Sequence, residues 1–286
     1  MHQARRSRLL PWLLVGLPAA FLLVFFVVPT LVLFSASVLR TDGTVATDEL
    51  TLDNFRELLT SRLFVSAILR SFGIGIAVGA LVVIVSYPVA WVLVRTVSRW
   101  KNLLIALALA PLLASVIVRT YGWWVLFNRE GAINTLLMST GIVSGPLAML
   151  PSTAAIIVGL THALLPYGIL TLMASLGGVN PNLERAAMSL GAGRLRTFLS
   201  TTLPLSAPGM VGGFLLAFAV AISAYATPAI LGGPANMTMA THIYNLMTNL
   251  LDWGLGSAMG AVLLATSLCL LLLTTLLGRW RRATEA

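Results

Sequence analysis

Residues 180–209 read NPNLERAAMSLGAGRLRTFLSTTLPLSAPG and predict two short helices joined by a glycine turn. Asn180 supplies an N-cap side chain, and Pro181 suits the first helical position. The apolar residues of each helix recur at the spacing of one helical face: Leu183, Ala186, Ala187 and Leu190 before Gly191, then Leu195, Phe198, Leu199 and Thr202, with Pro204 stopping the second helix. Helices of about nine residues are shorter than the roughly 12–15 needed for marginal stability in water. We therefore expect this segment to dock on a partner.

The same stretch resembles a known motif. LERAAMSLGA, RTF and TLPLSAPG are similar to the cytoplasmic "EAA" loop of permease subunits in type I, binding-protein-dependent ABC importers. In that family the coupling helix of the loop sits in a groove of the ATP-hydrolysing subunit. The resemblance implies an ATPase-coupling role for the following residues: Glu184, Arg185, Ala186, Ala187, Leu190, Gly191, Phe198 and Pro204.

One position departs from that motif. Arg185 stands where the family has glutamate, and Glu184 lies one residue earlier. One residue turns a side chain by about 100° around a helix. The docking role therefore carries over to this chain, whereas a specific salt bridge from the motif glutamate does not.

Composition places the chain in a membrane. Of its 286 residues, 58% are hydrophobic and only 9% are charged, whereas a soluble domain has about 25% charged residues. The single cysteine, Cys269, excludes an intramolecular disulfide. The formal charge of +9 is better explained by membrane topology than by nucleic-acid binding.

We predict an all-α integral membrane fold with six transmembrane helices, because a span needs about 20 apolar residues. The predicted spans are 9–39, 71–94, 102–127, 151–176, 209–231 and 257–278. The first is far longer than the roughly 7–15 apolar residues of a signal peptide, so we interpret it as an uncleaved span.

Gly75 and Gly79 in the second predicted span form a small-xxx-small pair that lets helices approach closely. Four prolines fall inside the middle spans and predict kinks around a cavity: Pro88, Pro111, Pro166 and Pro228.

Three regions follow from these spans and from the resemblance. Residues 1–65 hold an N-terminal cytoplasmic flank, the first transmembrane helix and an external amphipathic segment, in which Asp53 caps a helix with Phe55, Leu58 and Leu59 on one side. Residues 66–278 form an ABC type-1 transmembrane domain, with coupling helices at 180–209 between spans four and five. Residues 279–286 form a basic cytoplasmic tail.

The basic residues predict the orientation. Twelve of the eighteen fall at the termini or in the loops that begin at residues 95 and 180: Arg5, Arg6, Arg8, Arg95, Arg99, Lys101, Arg185, Arg194, Arg196, Arg279, Arg281 and Arg282. Lysine and arginine accumulate on the cytoplasmic side of membrane proteins. Both termini and the coupling loop are therefore predicted to be cytoplasmic.

The sequence lacks the residues for ATP hydrolysis. Its one lysine, Lys101, is followed by asparagine, so a phosphate-binding loop that ends in Lys-Ser or Lys-Thr is excluded. We expect no enzyme activity and no cofactor in this chain, with ATP and Mg²⁺ bound by a separate ATPase subunit. The alternative is an ion-coupled secondary transporter, which usually buries carboxylates in its spans. The predicted spans contain none, since Glu130 and Asp252 lie at external edges.

A second resemblance concerns the solute. SAYATPAILGGP at 223–234, VRTYGW at 118–123 and GAIN at 131–134 resemble spermidine/putrescine-type permeases, and the likeness covers roughly residues 66–278. It implies import of a polyamine or a related small solute across a bacterial inner membrane. It also implies an extracytoplasmic substrate-binding protein and a second, homologous permease subunit, in a heterodimer rather than a homodimer.

Five residues are candidates for the translocation pathway: Arg119, Tyr121, Trp124, Tyr225 and Thr227. Aromatic faces attract organic cations, and hydroxyl groups accept their hydrogen bonds. An alternative for the aromatic residues of the third span is anchoring at the membrane–water interface.

Overall fold

The computed structural model describes residues 15–42 and 45–284. These divide into two compact units: the described residues up to 64 with 243–262, and residues 65–242 with the described residues from 263 onward. The predicted N-terminal flank with Arg5, Arg6 and Arg8, and the start of the predicted first span at Leu9, lie outside the described residues.

Within the described ranges, four helices are long and apolar enough to cross a membrane, and two bent helix pairs raise that number to six if each pair is one span. The four are Val15–Ser37, Arg62–Arg95, Thr153–Gly177 and Trp253–Leu270. Helix Arg62–Arg95 begins earlier than the predicted second span, 71–94. Helix Thr153–Gly177 matches the predicted fourth span, 151–176, to within two residues at each end. The prediction of a mainly helical membrane protein is thus confirmed.

The first unit begins with helix α1, Val15–Ser37, whose apolar side chains are almost all exposed. Strands β1, Leu39–Asp42, and β2, Val45–Leu50, form an antiparallel pair after it. This hairpin is a local exception to the predicted all-α fold. Its Thr41, Val45 and Thr47 are β-branched residues, which favour strands.

Helix α2, Asp53–Thr60, is the predicted amphipathic helix. Asp53 lies in its first turn rather than at the N-cap position, which Leu52 occupies, so the predicted cap is wrong. A carboxylate in the first turn still complements the partial positive charge of the helix end. Leu58 is buried and Phe55 half-buried, whereas Leu59 is 68% exposed.

The second unit is built on helix α3, Arg62–Arg95. The chain continues with α4, Lys101–Leu109, a 3₁₀ turn at Ala110–Leu113, α5, Val116–Phe127, and α6, Ala132–Ser139. The residues of the third predicted span, 102–127, thus form two helical segments that meet at 93°, not one helix. Pro111 lacks an N–H and lies in the 3₁₀ turn just before the extended Ala114, so the helical hydrogen bonds stop there.

Helix α7, Thr153–Gly177, leads to α8, Pro181–Ser189, and α9, Arg194–Leu205. Helix α10, Ala207–Ser223, follows α9 at an angle of 61°.

A separate helix, α11, Ala226–Leu231, completes the predicted fifth span, 209–231, which is therefore broken rather than continuous. Pro228 accounts for the break, because its ring clashes with the carbonyl four residues earlier, at Ala224. Ala224 is extended, with ψ of 127°. By contrast, Pro88 and Pro166 lie inside unbroken helices.

After a 3₁₀ turn at Pro234–Asn236 come α12, Met239–Tyr244, and α13, Trp253–Thr284. Helix α13 extends beyond the predicted end of the sixth span at residue 278.

The core of the second unit lies between α3, α7 and α10. Its buried residues include Ile74 and Val78 from α3, Ile156 and Leu160 from α7, and Ala217 from α10. The prediction that Gly75 and Gly79 permit close helix contact is confirmed: a Cβ on Gly75 would lie 2.5 Å from Ile222, and one on Gly79 would lie 2.8 Å from Phe214.

Candidate coupling surface and translocation path

Helix α8 forms as its sequence predicts. The Asn180 side chain accepts a hydrogen bond from the Asn182 backbone N–H at 2.9 Å, and Pro181 occupies the first turn. Gly191 then adopts a left-handed conformation with φ of +89°. An L-residue with a side chain rarely adopts this conformation, so glycine ends the helix and permits the turn into α9.

Helix α9 departs from the prediction at its carboxyl end. Pro204 does not stop the helix but lies in its last turn, directly after a π-helical turn at Phe198–Thr202. There the proline falls among the first residues of a new helical turn, where its missing N–H leaves few hydrogen bonds unmade. The helical path ends at Ser206, where α10 starts in a new direction.

Several apolar side chains of α8 and α9 are exposed, beside exposed basic ones such as Arg185 and Arg194. Leu190 is 89% exposed and Leu195 71% exposed. Other apolar residues of the two helices are also exposed: Leu183, Ala186, Leu199 and Pro204. Exposed apolar surface of this kind marks an interaction site. We call this set of residues the coupling surface.

The inward face of α9 is fixed to the spans. The Phe198 ring packs edge-on against Tyr87 of α3, with 5.6 Å between ring centroids. Phe198 and Leu203 also contact a buried cluster of Tyr87, Ala90, Leu172 and Leu176. Phe198 therefore joins the coupling surface to α3 and α7 rather than forming part of its exposed face.

Polar contacts reinforce this attachment. The hydroxyl groups of Tyr87 and Ser206 lie 2.8 Å apart and are buried. The Ser175 hydroxyl of α7 also donates to the Ser206 carbonyl at 3.4 Å. Ser206, at the bend between α9 and α10, thus contacts both α3 and α7. Sequence reasoning missed Tyr87 and Ser206, because their partners lie 119 and 31 residues away.

Glu184 and Arg185 occupy different environments on α8. Arg185 is exposed, and its guanidinium donates to Asn182 at 3.4 Å. Glu184 points inward, where its Oε1 accepts from the guanidinium of Arg95 at 2.5 Å and from the Thr202 hydroxyl at 2.8 Å. The two neighbouring charges therefore belong to different surfaces. Sequence reasoning counted Arg95 only as a topology signal.

The Arg95–Glu184 contact also locates the loops. It places the end of α3 and the coupling surface at the same end of the second unit. At the other end of α3, the Arg70 guanidinium donates to the Met237 carbonyl at 3.0 Å. Arg70 and Arg95 are 25 residues apart, or about 38 Å along a helix, which exceeds the roughly 30 Å hydrocarbon core of a bilayer.

Of the pathway candidates, Thr227 and Arg119 make internal contacts. Thr227 is buried on α11, and its hydroxyl lies 3.1 Å from that of Thr120 on α5. The Arg119 guanidinium donates to the Pro111 carbonyl at 2.6 Å. It thereby satisfies a carbonyl beside the break that precedes α5. Thr120 was not among the predicted residues.

The aromatic candidates are exposed within the chain. Tyr121 and Trp124 lie one turn apart on α5, and Tyr225 lies between α10 and α11. Trp123, by contrast, packs inward: its indole N–H donates to His162 Nδ1 at 3.3 Å, and its ring stacks on Phe127. The structure therefore does not bring the five pathway candidates together in one cluster. The rings of Tyr121, Trp124 and Tyr225 are exposed, whereas Arg119 and Thr227 make internal contacts.

Comparison with solved structures defines the class of fold. The chain superposes on a subunit of a bacterial ABC transporter that imports the acidic polysaccharide alginate, with a TM-score of 0.75, 17% identity and coverage of 97% of both chains. A second structure of the bacterial alginate transporter, in complex with an alginate pentasaccharide-bound periplasmic protein, also gives a TM-score of 0.75, at 18% identity. The fold is that of an ABC transporter permease.

Sequence comparison identifies particular relatives. The chain is homologous to the spermidine/putrescine transport system permease protein PotB of Escherichia coli, with 29% identity over 239 residues, covering 83% of this chain and 86% of that protein. PotB of Haemophilus influenzae is 28% identical over 240 residues. No protein-family model matches the sequence.

Proposed function

We propose that this chain is the permease subunit of an ATP-driven importer, that it forms half of the translocation pathway, and that it couples to a separate ATPase through residues 180–209. The observation that carries the proposal is the coupling surface, a set of exposed apolar side chains on two short helices whose inner sides are fixed to α3 and α7. Such short helices gain stability from packing rather than from propensity. An ATPase subunit with an apolar groove is a fitting occupant.

The proposed solute is a polyamine such as spermidine or putrescine, or a related small solute. The homology to PotB proteins of two organisms supports this choice. The exposed rings of Tyr121, Trp124 and Tyr225 offer π faces to an organic cation. Weak sites of this kind suit a path that a cation must leave as well as enter.

The proposed assembly contains further subunits. A second, homologous permease would complete the pathway as a heterodimer, and two ATPase subunits would bind ATP and Mg²⁺. An extracytoplasmic binding protein would deliver the solute; the alginate transporter structure with a bound periplasmic protein supports this partner. The complex would lie in a bacterial inner membrane, with both termini of this chain in the cytoplasm.

The proposed mechanism is a rigid-body switch. Closure of the ATPase pair on ATP would move α8 and α9 together, and their inner contacts would carry the motion into α3 and α7. Movements of whole helices can expose a central site first on one side of the membrane and then on the other.

The test is affinity purification of the tagged chain from its native membrane, with uptake of radiolabelled spermidine measured in the same cells. We expect an ATPase and a second permease to co-purify. Leu190→Asp with Leu195→Asp should remove the ATPase and abolish uptake, because charges on the coupling surface would have to be desolvated on docking. Ile142→Asp, at an exposed apolar site outside the coupling surface, is the matched control and should change neither.

Two outcomes would contradict the proposal. Purification of a stable chain without any ATPase would show that residues 180–209 do not dock on an ATPase. Uptake that persists in the Leu190→Asp, Leu195→Asp variant and collapses when an ionophore dissipates the ion gradient would identify an ion-coupled secondary transporter.

A further inference from the structure

Glu184 lies on the coupling helix but faces away from the coupling surface. Its carboxylate contacts Arg95, the last residue of α3, across 89 residues of sequence, and Thr202 of α9. The side chains of Arg95 and Glu184 are 21% and 19% exposed, respectively. The ion pair is thus largely shielded from water, which makes it stronger than an exposed surface pair.

The charge of Arg95 depends on Glu184 for its compensation. The Nε of Arg95 is buried and finds no hydrogen-bond partner in the part of the chain that the structure describes. Glu184 is the carboxylate that balances this charge. Removing one member of a shielded pair leaves the other charge uncompensated, so the two side chains should move together when the coupling helix moves.

Helix α3 therefore contacts both helices of the coupling loop, α8 and α9. Arg95 contacts α8 through Glu184. Tyr87, about 12 Å earlier along the helix, contacts Phe198 of α9 and Ser206 at the bend that follows α9. Thr202 connects the two helices, because its hydroxyl donates to the same carboxylate oxygen that Arg95 contacts. A displacement of α8 thus reaches the end of α3 without passing through the glycine turn at Gly191.

We propose that Glu184 is a positioning residue that transmits motion of the coupling helix to α3 through Arg95, and that it is not itself a contact to the ATPase. This inference rests on the proposed function, since it assumes that an ATPase moves α8. It assigns α3 a direct role in the switch. It also separates the two adjacent charges of the motif, with Arg185 on the exposed side and Glu184 on the transmitting side.

The experiment compares variants in the full complex, reconstituted in liposomes with its binding protein. Glu184→Gln keeps the shape and removes the charge, and Arg95→Met removes the partner. The double variant Glu184→Arg, Arg95→Glu restores the pair with reversed polarity, and the Thr202 hydroxyl can then accept from the new arginine. Glu130→Gln is the matched control, because it makes the same change at an exposed carboxylate outside the coupling loop. The readouts are the amount of ATPase bound, the ATPase rate, and the solute moved per ATP hydrolysed.

We expect each single variant to bind the ATPase normally and to hydrolyse ATP, with the solute moved per ATP reduced about tenfold, a size typical of residues that modulate coupling without touching a ligand. The reversed pair should recover most of the loss, and Glu130→Gln should resemble the unmodified chain.

Single variants with an unchanged transport ratio would overturn the inference. So would loss of the bound ATPase in Glu184→Gln, since it would make Glu184 part of the docking contact. A reversed pair that fails to recover the ratio would likewise reduce the contact to a structural one. Absence of an ATPase from the unmodified complex would instead refute the proposed function, so the two failures are distinguishable.

Discussion

The link between α8 and α9 contains two glycines with different conformations. Gly191 has φ of +89°, whereas Gly193 has φ of −66°. A Cβ on either residue would meet no atom within 4 Å. Backbone strain alone, and not crowding, therefore distinguishes the two positions, and only Gly191 requires a conformation that favours glycine.

We predict that Gly191→Val uncouples ATP hydrolysis from uptake while leaving membrane insertion intact. The left-handed conformation costs a β-branched residue at least the roughly 1–2 kcal/mol of an ordinary L-residue, so the turn would rearrange and α8 would shift relative to α9. The measurement is the uptake of labelled solute and the ATPase rate of the purified complex. Gly193→Val adds the same volume without that strain and should transport normally. Normal transport by Gly191→Val would show that the turn does not position the coupling helix.

Helices α7 and α10 pack closely against each other. Helix α10 approaches α7 so tightly that a Cβ on Gly209 would lie 2.4 Å from the Ser175 side chain and 3.0 Å from the Thr171 carbonyl. Gly212, on the same helix, faces open space within 4 Å. This close contact lies just after the bend at Ser206. It therefore holds the start of α10 against α7 at the point where α9 ends.

Gly209→Val should therefore destabilise the packing of α10 on α7, because the neighbouring carbonyl of Thr171 cannot rotate away as a side chain can. A clash of this kind typically costs 1–3 kcal/mol. Thermal unfolding of the purified complex in detergent, followed by tryptophan fluorescence, would show a lowered midpoint. Gly212→Val is the matched control and should unfold near the temperature of the unmodified chain. Equal midpoints for both variants would mean that the helices separate easily at this point.

The second unit has two distinct ends. The coupling surface and Arg95 lie at one end of α3, and Arg70, Met237 and the α12 residue Met239 meet at the other, where the Met239 N–H donates to the Ser71 hydroxyl at 2.8 Å. This arrangement agrees with the positions of the basic residues in the sequence. The predicted orientation with the coupling end in the cytoplasm can be tested directly.

We predict that a membrane-impermeant maleimide labels Ile142→Cys in intact cells but labels Val97→Cys only after the membrane is opened. Val97 is fully exposed two residues beyond Arg95, and Ile142 is exposed in the predicted external connection. Both cysteines are introduced into a Cys269→Ser background, because Cys269 is the one native cysteine. Labelling in detergent serves as the control for reactivity. The reverse pattern of labelling would place the coupling surface outside the cell.

Local signals in the sequence determined much of the fold. Asn180 and Pro181 begin α8, Gly191 ends it, and the long apolar runs form the long helices, because caps, turns and hydrophobic length act over a few neighbouring residues. Helical spacing also predicted the exposed Leu183, Ala186 and Leu190 of α8. For α9 it was partly wrong, because Phe198 and Thr202 of the predicted apolar stripe point inward.

Only the tertiary structure decided which residues meet across long separations. Glu184 finds Arg95 across 89 residues, and Tyr87 finds Ser206 across 119, because packing of α3 against the rest of the second unit brings them together. The same packing decides which prolines break a helix: Pro111 and Pro228 lie at breaks, whereas Pro88 and Pro166 stay within helices. A proline removes one N–H in every case, and the neighbouring groups that can satisfy the freed carbonyl decide the outcome.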